Sequence, residues 1–489
     1  RGAVVWQRLI ADIETPVSAA LKLIEPGRGD WVLESVESGE TRGRYSLIGL
    51  DPDLMFEVIG DAARINRDWR RDREAFQPLE TPALQALRDL VAECRFDVPE
   101  GLPKPLATLV GFFAYETIGL VERIPRAPGE GLGLPDMVFV RPTTILVFDR
   151  LADELFLIAP IWPDAHAPID RMIDAAQERL DDIAARLSSV SAHSDRALTD
   201  ALPGDIVANA ATSPANFAAM VAAAKDYIAA GDIFQVVLSQ RFSTPFDLPP
   251  FDLYRALRRI NPSPFLYFLD LPGFALIGSS PEILVRVRDE EITIRPIAGT
   301  RPRGRTSAED VENREGLLAD PKERAEHLML LDLGRNDVGR AAVGGSVTVT
   351  DSYTVEFYSH VMHIVSNVIG RIAPGKDAID ALFAGFPAGT VSGAPKVRAC
   401  QIIAELEADA RGPYAGGVGY FAPDGNMDSC IVLRTAIVKD GEMHVQAGAG
   451  IVADSDPAYE QRECEAKAGA LFAAAREAVK LASTPGYGQ

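Results

Sequence analysis

Only four of the 489 residues are cysteine (Cys94, Cys400, Cys430 and Cys464), and no two have CxxC spacing. That excludes a dense disulfide scaffold and points to reduced thiols in a cytoplasmic setting. The start at Arg1, without methionine, leaves a removed targeting segment open. Positive charge is also scarce: 49 Lys and Arg stand against 70 Asp and Glu, for a net charge of −21. Nucleic acids and anionic membranes are bound by cationic faces that release counterions, so neither is expected as a partner. No apolar run approaches the roughly 18 residues of a membrane span, and the first 30 residues lack the basic-then-apolar order of a signal peptide. What remains is ordinary globular material, 47% hydrophobic and 24% charged, long enough for two to four domains. Any anion must be recognised locally, and 291-EITIRPIAGTRPRGR-305 concentrates Arg295, Arg301, Arg303 and Arg305 in one stretch.

The pattern along the chain predicts an α+β fold. Up to about residue 190, strand-like runs (31-WVLES, 143-TTILVF, 155-LFLIAPIW) alternate with helical ones such as 83-ALQALRDLVAEC. Residues 191–213, rich in Ser, Asp, Ala and Pro, read as a linker, 214–480 as a second region and 481–489 as a tail. The second region opens with an Ala-rich helix stopped near Gly231. It continues with strand-like runs at 233-IFQVVLSQRF, 274-FALIGSS, 431-IVLRTAIV and 443-MHVQAGAG. Strands bunched between helices favour a sandwich over a doubly wound sheet. The segment 389-GTVSGAPK-396 does not fit a phosphate loop, because Ala394 and Pro395 precede its lysine.

Two stretches carry carboxylates at helical spacing. In 321-PKERAEHLMLLDLGRND-337, Glu323 and Glu326 share a face; in 458-AYEQRECEAKAGALFAAAREAV-479, Glu460 and Glu463 do, with Lys467 four residues on. Such a set suits Mg²⁺, or equally an ion-paired solvated face. His327, His360 and His363 read either as core histidines or as acid–base groups. Gly448 and Gly450 either expose amides to an anion or turn a strand end. Arg434 either grips a carboxylate or pairs internally, and Tyr414 shares that ambiguity.

The ordered segments 231-GDIFQVVLSQRF, 261-NPSPFLYFL, 278-GSSPEILV, 296-PIAGTRPRG, 321-PKERAEHLMLLDLGRND, 386-FPAGTVSGAPKVRA and 446-QAGAGIVADSDP-457 resemble the chorismate-utilising enzymes, most closely their anthranilate synthase component I branch. The likeness covers residues 214–480 and extends more weakly through 31-WVLESVESGETRGRYSLIG-49. It implies a large two-lobed α/β sandwich of mainly antiparallel sheets flanked by helices. It also implies Glu326 and Glu463 on Mg²⁺, with Glu323 and Glu460 acting through its waters. Tyr414, Arg434, Lys467, Gly299, Gly448 and Gly450 would surround the substrate carboxylates, with Thr300 at the ring end. The implied reaction is attack of ammonia at C2 of chorismate with loss of the 4-hydroxyl, assisted by Glu282 as acid. Elimination of pyruvate follows, associated with His363.

Two substitutions choose among branches. Folate-branch relatives place a nucleophilic lysine where this chain has Ala298, and water-using relatives place a basic lysine where it has Gln235; neither residue here can play that part. No cysteine sits in a G-x-C-x-G elbow, so ammonia from glutamine implies a separate amidotransferase subunit and a hetero-oligomer. The resemblance further implies a feedback-inhibitory L-tryptophan site formed by Leu33, Glu34, Ser35 and Arg44 with Asn261, Pro262, Ser263, Pro264, Val418 and Tyr420. A catalytically silent tryptophan sensor is the reading from another class, opposed by the retained carboxylates, Glu282 and His363. Cys464 departs from the pattern, standing where threonine is usual.

Overall fold

The computed structural model describes residues 2–37, 41–162, 167–189, 206–358 and 361–483. Two long strands, Thr41–Ile59 and Met137–Asp149, form the spine. Every position of Met137–Asp149 is buried, because both its edges are paired and both its faces covered; this explains the near-continuous apolar run MVFVRPTTILVFD. The two strands pair antiparallel from Tyr45↔Asp149 to Val58↔Met137, with the register shifting between Pro52 and Leu54.

Two antiparallel ladders leave this spine. One runs through Asp30–Glu37, Phe265–Leu271, Phe274–Ser280, Thr435–Lys439 and Glu442–Ile451 to Gln235–Pro245. The other runs through Leu109–Phe113, Gly417–Phe421, Met427–Ile431, Ile283–Arg288 and Glu291–Ile294 to Val361–Arg371, which also carries Ile297–Pro302 and Thr348–Phe357. Phe112 of the second ladder meets Phe274 of the first edge-on at 5.9 Å, so the ladders face each other across a shared core. The structure is mixed helix and antiparallel sheet, as the resemblance implied.

The division of the sequence near residue 200 is not a division of the sheet: Asp30–Glu37 pairs with Phe265–Leu271, and Leu109–Phe113 with Gly417–Phe421. Each half supplies strands whose hydrogen-bonding edges only the other half completes. The preceding helix, Ile169–Ser188, ends just before the predicted linker; residues 191–205 of that segment lie outside the described residues, and Asn209–Ala210 already pairs with Phe242–Ser243. At the other end the helix Pro457–Ala482 runs past the expected boundary at 480, and 484–489 lie outside the described residues. The single strand expected at 431–438 is two, Met427–Ile431 and Thr435–Lys439. The chain breaks between them, and Arg434 adopts φ +46°, a left-handed conformation that a non-glycine residue holds only when its surroundings enforce it.

Candidate active site

The far ends of the two ladders approach one another at the candidate site. Ladder one ends in Gln235–Pro245 and ladder two in Val361–Arg371, and the turn Gly389–Ala394 links the first of these to Glu282, which precedes the Ile283–Arg288 strand of ladder two. Gly393 and Ala394 pair with Val236 and Gln235, while Thr390 Oγ1 donates to Glu282 Oε1 at 3.2 Å. Lys396 ends this segment in an internal ion pair, 2.8 Å from Asp337, on the helix Pro321–Ala341. The lysine that superficially resembled a phosphate-loop cation is therefore committed to the scaffold.

Glu282 is 7% exposed, and burial pushes its carboxyl up to about 8 against the opposing Thr390 hydrogen bond. His363 is also buried, which pulls its imidazole down to about 4. Its Nδ1 lies 3.0 Å from the Gly299 carbonyl and 3.1 Å from Thr300 Oγ1. A carbonyl only accepts, so Nδ1 carries the hydrogen and the neutral ring keeps a free lone pair on Nε2. The geometry comes from a bulge. Register shifts between Ala298↔Ile364 and Thr300↔His363, with Gly299 at φ +66° between them, and a Cβ there would lie 3.1 Å from Glu323 Oε2.

The arginines around this bulge are held by acids. Arg295 pairs with Glu356, Arg301 with Asp320 and Glu323 at 2.8 and 2.9 Å, and Arg303 with Asp310 at 2.9 Å. Arg301 thus ties the bulged strand to the first turn of the helix Pro321–Ala341, which Asp320 caps. Glu326, one turn on, is raised by burial and by the charges of Glu323 and Glu463, against a hydrogen bond from Gln235. Glu460 is raised by burial and by Glu463. Glu463 pairs with Lys467 at 2.6 Å, and Lys467 Nζ also donates to the Gly448 carbonyl at 2.9 Å. The two helices therefore bring carboxylates against one another with incomplete compensation, an arrangement that fits a divalent cation held by Glu326 and Glu463 and completed by water. Among the described residues no three acidic, His or Cys groups are close enough to cage an ion by themselves.

Across from these helices, Gly448 and Gly450 lie inside the strand Glu442–Ile451, opposite Ser239 and Val237, and do not turn its end. Val237 and Ser239 send their N–H groups away from that strand, to Ser392 O and Glu407 Oε1. Both are thus non-hydrogen-bonded pairs, and the Gly448 and Gly450 amides point to the opposite edge. A Cβ at position 448 would lie 2.7 Å from Tyr414 Oη and 2.9 Å from the Leu238 carbonyl, leaving no room, whereas at 450 it would lie 2.4 Å from Gln235 Nε2 and displace that amide. Gln235 is buried and its Oε1 has no partner. The half-buried Arg434 guanidinium, its charge disfavoured by burial, also has no hydrogen-bond or ion-pair partner among the described residues. Backbone amides on an unpaired strand edge and a guanidinium without a partner are groups whose chemistry suits a carboxylate, whereas the Lys467 ammonium is already engaged by Glu463 and the Gly448 carbonyl.

Residues 36–473 match the family described as chorismate binding enzyme. The chain belongs to that family. Anthranilate synthase component 1 of Cereibacter sphaeroides is 52% identical over 490 residues, spanning 99% of this chain and 97% of the relative. Its counterpart in Pseudomonas aeruginosa is 45% identical, over 95% and 94%. The crystal structure of anthranilate synthase component I from Streptococcus pneumoniae superposes with a TM-score of 0.76 at 35% identity, covering 95% of this chain and 99% of that one. The menaquinone-specific isochorismate synthase of Escherichia coli shares the fold, with a TM-score of 0.72 at 19% identity.

In this chorismate binding enzyme the segments expected to hold tryptophan are neighbours by register. Ser35 faces Phe265 directly after Asn261–Pro264, and Val418 pairs with Cys430 near Ser280. Glu34 already accepts from Ser46, Arg150, Tyr254 and Arg258. Asn261 is different: its Nδ2 is buried without a partner, while its carbonyl takes the Ser279 hydroxyl. Arg44 pairs with Asp149 at 2.6 Å over the Tyr45 ring, and Tyr420 faces Asp428 across its strand.

Two site residues escaped the sequence reading. Thr390 lay in a segment read as a resemblance motif and rejected as a phosphate loop, but the residue itself was given no role. Tyr358, whose ring meets His363 edge-on at 5.4 Å and whose hydroxyl donates to Glu356 at 3.1 Å, had no motif to mark it. His360 lies outside the described residues. No helix among the described residues is long and apolar enough to cross a membrane, and all four cysteines are buried and free.

Proposed function

We propose that this enzyme converts chorismate and ammonia to anthranilate, pyruvate and water. The observation that carries the reading is the opposite displacement of two buried groups bordering Tyr358: Glu282 keeps its proton to about pH 8, and His363 stays neutral down to about pH 4. Near neutrality the site offers one buried acid and one buried base, the condition for a two-step reaction that protonates a leaving group and then removes a ring proton. The near-full-length likeness to anthranilate synthase component 1 chains supports the same reaction.

Chorismate is held by its carboxylates at the Gly448 and Gly450 amides, Arg434, Tyr414 and Lys467. Ammonia forms the N–C2 bond, the ring double bonds shift, and the C4–O bond breaks as Glu282 gives its proton to the departing hydroxyl, which leaves as water. His363 Nε2 then takes the C2 proton while the C3–O bond breaks and the enolpyruvyl group leaves as pyruvate. Ala298 offers no nucleophile at C2 and Gln235 no base for water, which supports ammonia as the reactant. Glu326 and Glu463, with Glu323 and Glu460 behind them, would hold Mg²⁺; when bound, it supplies Lewis acidity at a substrate carboxylate.

The test is anthranilate fluorescence from the purified chain with chorismate, Mg²⁺ and ammonium at mildly alkaline pH, without glutamine. Anthranilate and pyruvate formed in equal amounts support the reading; chorismate consumed without fluorescence, or left intact, overturns it. Ammonia comes in the cell from a glutamine amidotransferase subunit, a reading that predicts glutamine-dependent activity only after such a subunit is added. L-Tryptophan inhibits from the pocket of Leu33–Ser35 and Asn261–Pro264, supported by the orphan Asn261 amide. Unchanged activity at saturating tryptophan would refute that inhibition.

A further inference from the structure

Glu407 and Arg411 lie outside every motif of the sequence reading, at the end of the helix Lys396–Leu406 and just beyond it, yet they are 5% and 3% exposed. Arg411 grips Glu407 through Nε and Nη2 at 2.8 and 2.6 Å, and its remaining donors reach two backbone carbonyls, Val391 O and Val237 O, both at 2.7 Å. Glu407 Oε1 accepts from the Ser239 backbone N–H at 2.8 Å and its hydroxyl at 3.0 Å, and Gln446 Nε2 donates to the same hydroxyl at 2.8 Å. The pair thus occupies the outward Val237 carbonyl and Ser239 N–H, where a neighbouring strand would otherwise sit, while the Val237 N–H goes to Ser392 O.

Those two positions stand opposite Gly450 and Gly448. In an antiparallel ladder, the face a residue gives to one edge decides the face its partner gives to the other. Holding the Val237 carbonyl and the Ser239 amide outward therefore holds the Gly448 and Gly450 amides toward the far edge of their strand, where Lys467 Nζ reaches the Gly448 carbonyl. The guanidinium also lies 5.5 Å from the ring centroid of Tyr414, whose hydroxyl sits over Gly448. We infer that Glu407 and Arg411 are positioning residues, an ion pair substituting for a strand, which set the register and tilt of the amide edge that binds substrate carboxylate. The inference rests on the proposed function for its substrate, but not for its geometry.

Three variants test it: Ser239→Ala, which removes the hydroxyl contacts and leaves no buried charge unpaired, Arg411→Lys, which keeps the charge but loses the fork, and Glu407→Gln. The readouts are KM for chorismate, kcat, and the affinities of the simple carboxylates benzoate and pyruvate. A misplaced binding edge should raise KM about tenfold and weaken at least one of the two carboxylates by a similar factor, with kcat within about twofold. Ser239→Ala should show the smallest version of the same pattern. If instead the soluble, folded variants lose kcat or active fraction while KM and both affinities stay at wild-type values, the pair is only structural and the inference fails. Should the wild-type enzyme form no anthranilate, the proposed function falls, and the carboxylate affinities still decide the positioning role.

Discussion

Glu34 and Glu282 are equally buried, 6% and 7% exposed, yet their carboxyls move in opposite directions. Burial alone would raise both. At Glu34 the hydrogen bonds and charges of Arg258, Tyr254 and Arg150 overcome burial and hold it below the usual carboxylate range. At Glu282 the Thr390 hydroxyl is the one opposing contact among the described residues, and burial wins. Compensation rather than depth separates a carboxylate that fastens strands together from one able to donate a proton.

The largest effects should come from exchanging these roles. Glu282→Gln keeps the shape but removes the acid, so kcat should fall by about 10²–10⁴ while the unfolding midpoint stays put. With rates normalised to free ammonia, wild-type kcat/KM should fall as pH rises through about 8, because Glu282 is raised and gives up its proton there; the variant should lack that limb. A limb that persists in Glu282→Gln would assign the acid elsewhere. Glu34→Ala should do the reverse. Leaving Arg150 and Arg258 buried without their partner should cost about 3–5 kcal/mol in urea unfolding, with tryptophan-free kcat of the folded fraction near wild type. An intact midpoint would mean water reaches that cluster.

Next in size is His363→Ala. It should lower anthranilate formation about a hundredfold while chorismate disappears faster than anthranilate appears, because the C2 proton stays in place. Equal loss of both signals would place His363 in the first step instead.

How much of this was legible in the sequence follows the same division. Of the residues proposed to meet substrate, Glu282, Gly448 and Gly450 stand in quoted motifs and His363 was supplied by the resemblance, while helix spacing put Glu323 with Glu326 and Glu460 with Glu463. The strands were visible where alternation or apolar runs marked them, as in 143-TTILVF. What could not be read were partners set by the fold. Arg434 lies in a strand-like run, and only tertiary packing breaks the strand there. Nothing local says that Glu407 will meet Ser239, 168 residues away, or that Asp30–Glu37 will complete Phe265–Leu271.

The smallest expected effect tests which side of the comparison Tyr358 belongs to. Its ring lies against His363 and burial keeps its phenol neutral, but its hydroxyl hydrogen-bonds to Glu356, which Arg295 already pairs. That is the compensated pattern of Glu34, reached from the cluster of arginines around the bulge. Tyr358→Phe keeps the ring and removes one hydrogen bond, so it should lower stability by about 1 kcal/mol and kcat by no more than about threefold. A loss near a hundredfold with unchanged stability would show that the hydroxyl leaves Glu356 to meet substrate, and Tyr358 would then stand with Glu282 among the groups that do the chemistry.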